Sequence, residues 1–114
     1  MTRAFVYAAE FDRIWFRDLK LTDDDLIPIE EHLLKNPEAG VVIKGTDELR
    51  KLMWTFQNKG KRGELRILYV DIIMDKELAM ITLFPKIEKE NLTENEKKAI
   101  KEFISEEFKY KNRS

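Results

Sequence analysis

The chain has 114 residues, with 21 basic and 22 acidic side chains and a formal net charge of −1. This length predicts a single domain, 1–114, and the balanced charge excludes a basic field over the whole protein as evidence for a nucleic-acid partner. The absence of cysteine excludes a disulfide framework and thiol catalysis, and the single histidine excludes a multi-histidine metal site. We predict no cofactor and no metal.

Hydropathy predicts a cytoplasmic protein. No apolar run approaches the roughly 20 residues that a membrane span needs. The N-terminal residues lack the apolar core of a secretion signal, and the lack of cysteine fits a reducing compartment.

The charges are unevenly distributed along the chain. Segment 1–43 has five basic and nine acidic residues, 44–66 has seven and three, and 67–114 has nine and ten. The basic residues of the middle segment are Lys44, Arg50, Lys51, Lys59, Lys61, Arg62 and Arg66. Exposed charges are screened beyond about 10 Å, so this local excess governs contact with a polyanion. The alternative is a basic hairpin that serves only solubility.

The first part of the chain predicts a strand at 3–7 followed by two helices. Segment 9–19 has helical apolar spacing, and the second helix begins after Thr22, whose hydroxyl can cap it. Pro28 lacks an N–H, so we expect it in the first turn of that helix or at a kink.

The middle of the chain predicts three strands, at 49–56, 65–72 and 78–84. In the first, alternation places Leu52, Trp54 and Phe56 on one face and Leu49, Lys51, Met53 and Thr55 on the other. A basic turn containing two glycines, 58–63, joins the first two strands. Pro85 is expected to end the third strand.

The last predicted element is an amphipathic helix that begins with a capping box, Thr93 to Glu96. Its apolar stripe is Ala99, Ile100, Phe103, Ile104 and Phe108. Residues 109–114 are expected to fray. The element order predicts an α+β fold, with a small, mostly antiparallel β-sheet, two N-terminal helices and one C-terminal helix.

Few residues have the pattern of a chemical site. Ser105 has no helper histidine, and the glycine-flanked turn 60–63 lies between strands, unlike a phosphate-binding loop that leads into a helix. Lys51 and Arg66 can hold phosphates, and Tyr69 can stack on a base or donate a hydrogen bond. Residue chemistry alone therefore suggests an RNA-phosphate site on the hairpin.

Six segments of the chain form a recognisable pattern. They are NPEAGVVIKGT at 36–46, LRK at 49–51, GKRG at 60–63, RILY at 66–69, LFPK at 83–86 and EKENLT at 88–93. Together they resemble HigB-type toxins of the RelE superfamily. Their order and spacing agree over roughly residues 5–104.

The resemblance implies a toxin of a type II toxin–antitoxin system. Such toxins enter the ribosomal A site and cut mRNA without a metal, by attack of the RNA 2′-hydroxyl on the adjacent phosphate. The implied partners are a helix-turn-helix antitoxin, the ribosome and mRNA. The implied fold, a small antiparallel sheet with helices, agrees with the α+β prediction.

The resemblance also assigns residues to the site. The implied catalytic residues are Arg66, Lys61, Lys51 and Lys86. The implied RNA-binding residues are Lys59, Arg62, Arg50, Lys44 and Tyr69. Arg66 matches the strand arginine of the family and would stabilise charge on the scissile phosphate.

Three departures from the family pattern lower the positive charge of this site. Met53 stands where a second basic residue is usual, Asp47 and Glu48 replace a glycine pair, and Glu64 replaces a small residue two positions before Arg66. Two alternatives therefore stay open: a catalytically weakened toxin that acts mainly as an antitoxin-binding module, and a gyrase inhibitor on the same fold.

Overall fold

The computed structural model describes residues 3–46, 48–56 and 63–109. One sheet holds all the strands, in the order β1-β5-β4-β3-β2. The strands are β1 Ala4–Tyr7, β2 Val41–Val42, β3 Arg50–Thr55, β4 Glu64–Ile72 and β5 Glu77–Pro85. The helices are α1 Ala9–Asp12, α2 Asp23–Lys35 and α3 Glu94–Ile104. Wider π-helical turns extend α1 and α3 over Arg13–Asp18 and Ser105–Lys109.

The predicted α+β class with a mostly antiparallel sheet is confirmed. Strands β2 to β5 pair antiparallel in sequence order, and β1 is parallel to β5 at the edge of the sheet. Arg3 reaches across β5 to Asp71 of β4, with its Nε 2.7 Å from Oδ1 and its Nη2 3.1 Å from Oδ2. This two-point ion pair helps to fix β1 at the edge.

Helices cover both faces of the sheet. On the first face, α1 and α2 bury Phe11, Trp15, Ile29 and Leu33 against Leu52 and its neighbours. On the second face, Ile104 of α3 packs in a cluster of residues that lie in the strands or directly beside them. That cluster is Leu49, Leu68, Val70, Ile72, Ala79, Ile81 and Phe84. The alternation predicted for 49–56 is therefore confirmed, because Leu52 and Leu49 lie in different cores.

Both predicted helix starts are confirmed. The Thr22 hydroxyl accepts from the Asp25 N–H at 3.2 Å, and the Thr93 hydroxyl accepts from the Glu96 N–H at 3.1 Å. In each case the acid accepts in return from the backbone N–H of the threonine. Each capping box satisfies two donors that the first turn leaves unpaired.

Three details differ from the sequence predictions. Pro28 lies in the second turn of α2 rather than in its first turn, at an exposed position where solvent can hydrate the carbonyl that loses its donor. Pro85 ends β5 as predicted, but it is itself the last strand residue and pairs with Leu65, one residue beyond the predicted bound of 84. The two-residue strand β2 was not predicted, because it is too short to show an alternating pattern.

Candidate phosphate-binding site

Three of the predicted catalytic residues lie on or beside the second face of the sheet. Arg66 of β4 is opposite Met53 of β3, and Lys51 lies two residues before Met53 on the same face. Lys86 directly follows β5, and its backbone N–H donates to the carbonyl of Glu64 at 2.9 Å. The sheet thus brings together cations that are up to 35 residues apart in sequence.

Arg66 is buried and held by two carboxylates. Its side chain is 4% exposed. Its Nη1 donates to Glu64 Oε1 at 2.8 Å, and its Nη2 donates to Glu90 Oε1 at 3.1 Å. Its Nε is buried with no hydrogen-bond partner among the described residues. The guanidinium therefore has a buried Nε–H without an acceptor, a state that is unfavourable for a buried polar group.

The β5–α3 loop, residues 86–93, lies against these cations. Besides Glu90 on Arg66, Asn91 accepts from Lys51 Nζ at 3.0 Å through its side-chain oxygen. Lys89 anchors the loop, with its Nζ 5.0 Å from the centre of the Phe84 ring and paired with Glu96 of α3. Successive loop residues thus engage the two strand cations of the site.

The Glu64 carboxylate contacts two of the cations, Arg66 and Lys86. Its Oε1 lies 2.8 Å from Arg66 Nη1 and 3.6 Å from Lys86 Nζ, and its Oε2 accepts from the Thr55 hydroxyl at 3.2 Å. The hydrogen bond from Arg66 lowers the pKa of the Glu64 carboxyl, and the same hydrogen bond raises the pKa of Arg66. Both groups are therefore charged at neutral pH.

This lowered pKa predicts acid sensitivity. Because the folded-state pKa of Glu64 lies below the ordinary 4.5, its stabilising effect is present above that value and is lost as pH falls through the lowered pKa. The free energy of unfolding should thus decrease from about pH 5 to about pH 3 by more in the wild type than in Glu64→Gln. Urea titrations at both pH values measure this.

The control is Glu88→Gln, a change at an exposed loop acid, which should retain the wild-type pH dependence. If the free energy of unfolding of Glu64→Gln changes with pH as the wild type does, the lowered pKa of Glu64 is contradicted.

The remaining basic candidates are less closely connected to this cluster. Lys59, Lys61 and Arg62 lie outside the described residues, so their predicted contacts stay predictions. Lys44 is exposed in the turn after β2. Arg50 Nη1 donates to the Gly40 carbonyl at 2.7 Å, which ties the start of β3 to the segment after α2.

The prediction that Tyr69 contacts RNA is wrong in this structure. Its side chain is fully buried in the core of the first face, opposite to the face of Arg66. The Tyr69 hydroxyl accepts from the Gly40 N–H at 2.9 Å and donates to the Pro37 carbonyl at 2.7 Å. Burial raises the pKa of the Tyr69 phenol. Tyr69 thus orders the segment that connects α2 to β2.

Sequence reasoning missed Glu90 and Asn91. It singled out Met53 and Glu64 as departures from the family pattern, but it gave the loop acids no role. One signal was available: Glu90 lies four residues after Lys86, and Lys86 Nζ is 3.9 Å from its Oε2. That spacing alone does not identify Arg66 as the second partner.

Two further properties concern the described ranges. In residues 3–46, 48–56 and 63–109, no three acidic or histidine side chains are grouped as a metal site. No helix in that part of the chain has both the length and the apolar character needed to cross a membrane.

A solved toxin structure has the same fold. No family model matches the chain. A mutant of the E. coli toxin RelE in its free state superposes with a TM-score of 0.52 and 14% sequence identity, covering 75% of this chain and 84% of that chain. The protein is thus an α+β domain with a RelE-like fold, and its second sheet face carries a buried arginine between two carboxylates.

Proposed function

We propose that this protein is the toxin of a type II toxin–antitoxin system, of the HigB type, and that it cuts mRNA in the A site of the ribosome. It acts in the cytoplasm and is neutralised by a helix-turn-helix antitoxin. The observation that carries this proposal is the placement of Arg66, Lys51 and Lys86 around one face of a RelE-like sheet. Such a group suits a phosphodiester, because arginine and lysine bind phosphate oxygens and stabilise added negative charge.

The reaction needs no cofactor. The RNA 2′-oxygen attacks the adjacent phosphorus, the bond from phosphorus to the 5′-oxygen breaks, and a cyclic phosphate remains. The 2′-hydroxyl loses its proton and the leaving 5′-oxygen gains one. Arg66 binds the phosphate and stabilises the phosphorane, since its guanidinium offers two parallel donors, and the lysines add charge. Lys51 lies on the same sheet face as Arg66, and Lys86 contacts Glu64, the partner of Arg66.

A second candidate function is an antitoxin-binding module with weak or no cleavage. The ion pairs favour it, because Glu64 and Glu90 already neutralise the arginine. Exposed Met53, opposite Arg66, adds no charge there. This candidate predicts tight association with the antitoxin and normal growth when the protein is expressed alone.

Expression in cells separates the candidates. The chain is induced with and without the antitoxin from the neighbouring gene, and RNA 5′ ends are mapped during translation. The nuclease predicts growth arrest and in-frame cuts in translated messages, both reversed by the antitoxin. Normal growth with intact messages contradicts the nuclease and supports the binding module. DNA damage with intact messages instead indicates a gyrase inhibitor.

A further inference from the structure

The β5–α3 loop places a carboxylate and an amide on the two strand cations of the proposed site. Glu90 contacts Arg66 Nη2 at 3.1 Å, and its neighbour Asn91 contacts Lys51 Nζ at 3.0 Å. Both acceptor atoms are oxygens, like the hydrogen-bond acceptors of a phosphate group. The Glu90 side chain is itself 56% exposed, whereas Arg66 is 4% exposed. The loop thus covers the arginine and faces solvent with its outer side.

Glu90 accepts a hydrogen bond from only one of the two nitrogens on its edge of the Arg66 guanidinium. The Nε and Nη2 of a guanidinium lie side by side and can hold two oxygens of one anion. Arg3 uses both of these atoms on Asp71, at 2.7 and 3.1 Å. Arg66 uses Nη2 alone on this edge, and its Nε is the buried donor without a partner in the described part of the chain. A phosphate in the place of Glu90 would satisfy both donors.

We infer that the β5–α3 loop is an autoinhibitory strap: Glu90 and Asn91 occupy the phosphate positions on Arg66 and Lys51, and RNA binds by displacing them. This inference rests on the proposed function, since it assumes that the ligand is an RNA phosphodiester. Glu64 stays in place during the exchange, because it holds the opposite atom, Nη1, and is also bonded to Thr55. The exchange replaces a one-point contact of Arg66 by a two-point contact.

Removal of the Glu90 charge should strengthen RNA binding. The probe is a short fluorescein-labelled 2′-O-methyl oligoribonucleotide, which lacks the attacking hydroxyl, and fluorescence anisotropy gives its affinity for the full chain. We expect Glu90→Gln to bind about fivefold more tightly than the wild type, the effect of losing one competing ion pair. The matched control is Glu88→Gln, the same charge change at an exposed acid of the same loop, which should change the affinity by less than about twofold.

A second substitution and a spectroscopic measurement locate the effect. In an Arg66→Met background the gain from Glu90→Gln should disappear, because methionine forms no ion pair for which Glu90 and RNA could compete. In 1H–15N spectra, the Arg66 Nε–H signal should shift on oligonucleotide addition, at lower concentrations in Glu90→Gln than in the wild type. Asn91→Ala should also tighten binding, and it serves as the test should Glu90→Gln not fold.

Three results overturn the inference: equal affinities of Glu90→Gln and Glu88→Gln, a gain that persists in the Arg66→Met background, or an Arg66 Nε–H signal that does not respond to the oligonucleotide. Failure of the proposed function is distinguishable from these. A strap that opens for RNA in a protein that never cuts translated messages contradicts the nuclease alone. Cutting that occurs while Glu90→Gln and Glu88→Gln bind RNA equally contradicts the strap alone.

Discussion

Arg66→Ala should lower the rate of mRNA cleavage by at least about 100-fold, the loss measured when one donor to a developing oxyanion is removed. Arg66 pairs with both Glu64 and Glu90. No other arginine in the described part of the chain does so. Arg66→Lys keeps the charge but removes the two-point edge, so it should also be strongly impaired. Cleavage of a reporter mRNA in a translating extract measures both variants.

The matched control is Arg13→Ala. Arg13 lies in the π-helical turn after α1, on the opposite side of the sheet, and is half exposed in an ion pair with Asp18. Arg13→Ala removes the same charge as Arg66→Ala and should leave the rate of mRNA cleavage unchanged. Each variant must bind the antitoxin as the wild type does, which excludes misfolding. Wild-type cleavage by folded Arg66→Ala would show that this arginine is not catalytic.

Gly40→Ala should destabilise the fold by about 2–3 kcal/mol, because a methyl group there overpacks the site and disturbs a buried hydrogen bond. A Cβ at Gly40 would lie 2.8 Å from Tyr69 Cε1 and 3.1 Å from the backbone of Lys51. The backbone cannot give way easily, so the Tyr69 ring must move. That movement breaks the bond between the Gly40 N–H and the Tyr69 hydroxyl. Urea unfolding measures the change.

Gly63→Ala is the control for this prediction. A Cβ at Gly63 would meet no atom of the described residues within 4 Å, so the free energy of unfolding should be unchanged or higher by up to about 1 kcal/mol, through the unfolded chain. Equal stability of Gly40→Ala and Gly63→Ala would contradict the close packing of Tyr69 on the α2–β2 connection.

The elements that could be predicted from the sequence are those whose signals are local. Alternation at 49–56 is a property of one strand, and it places Lys51 and Met53 on one face and Leu52 on the other. Both capping boxes lie within four residues, so composition at that spacing suffices to find them. Lys51 and Arg66, the site cations on β3 and β4, could be predicted from the resemblance together with the alternation of side chains between the two faces of a strand.

Features that depend on distant residues could not be predicted. Glu90 meets Arg66 across 24 residues, and nothing near either residue marks that contact. Tyr69 looked available because an aromatic residue beside basic ones suits RNA, yet its hydroxyl finds two backbone partners around 30 residues away. Partner choice over such separations is set by packing of the whole sheet, and packing leaves no local pattern.

The central claim is that the Arg66 site cuts mRNA on the ribosome through the RNA 2′-hydroxyl. The most direct measurement uses purified protein, programmed ribosomes and two messages, one with a 2′-deoxy nucleotide at the mapped cleavage position. We predict that the normal message is cut in the A-site codon, and that cutting is lost without ribosomes, with the 2′-deoxy message and with Arg66→Ala. Cleavage that survives any of these three changes, or an intact normal message, would contradict the claim.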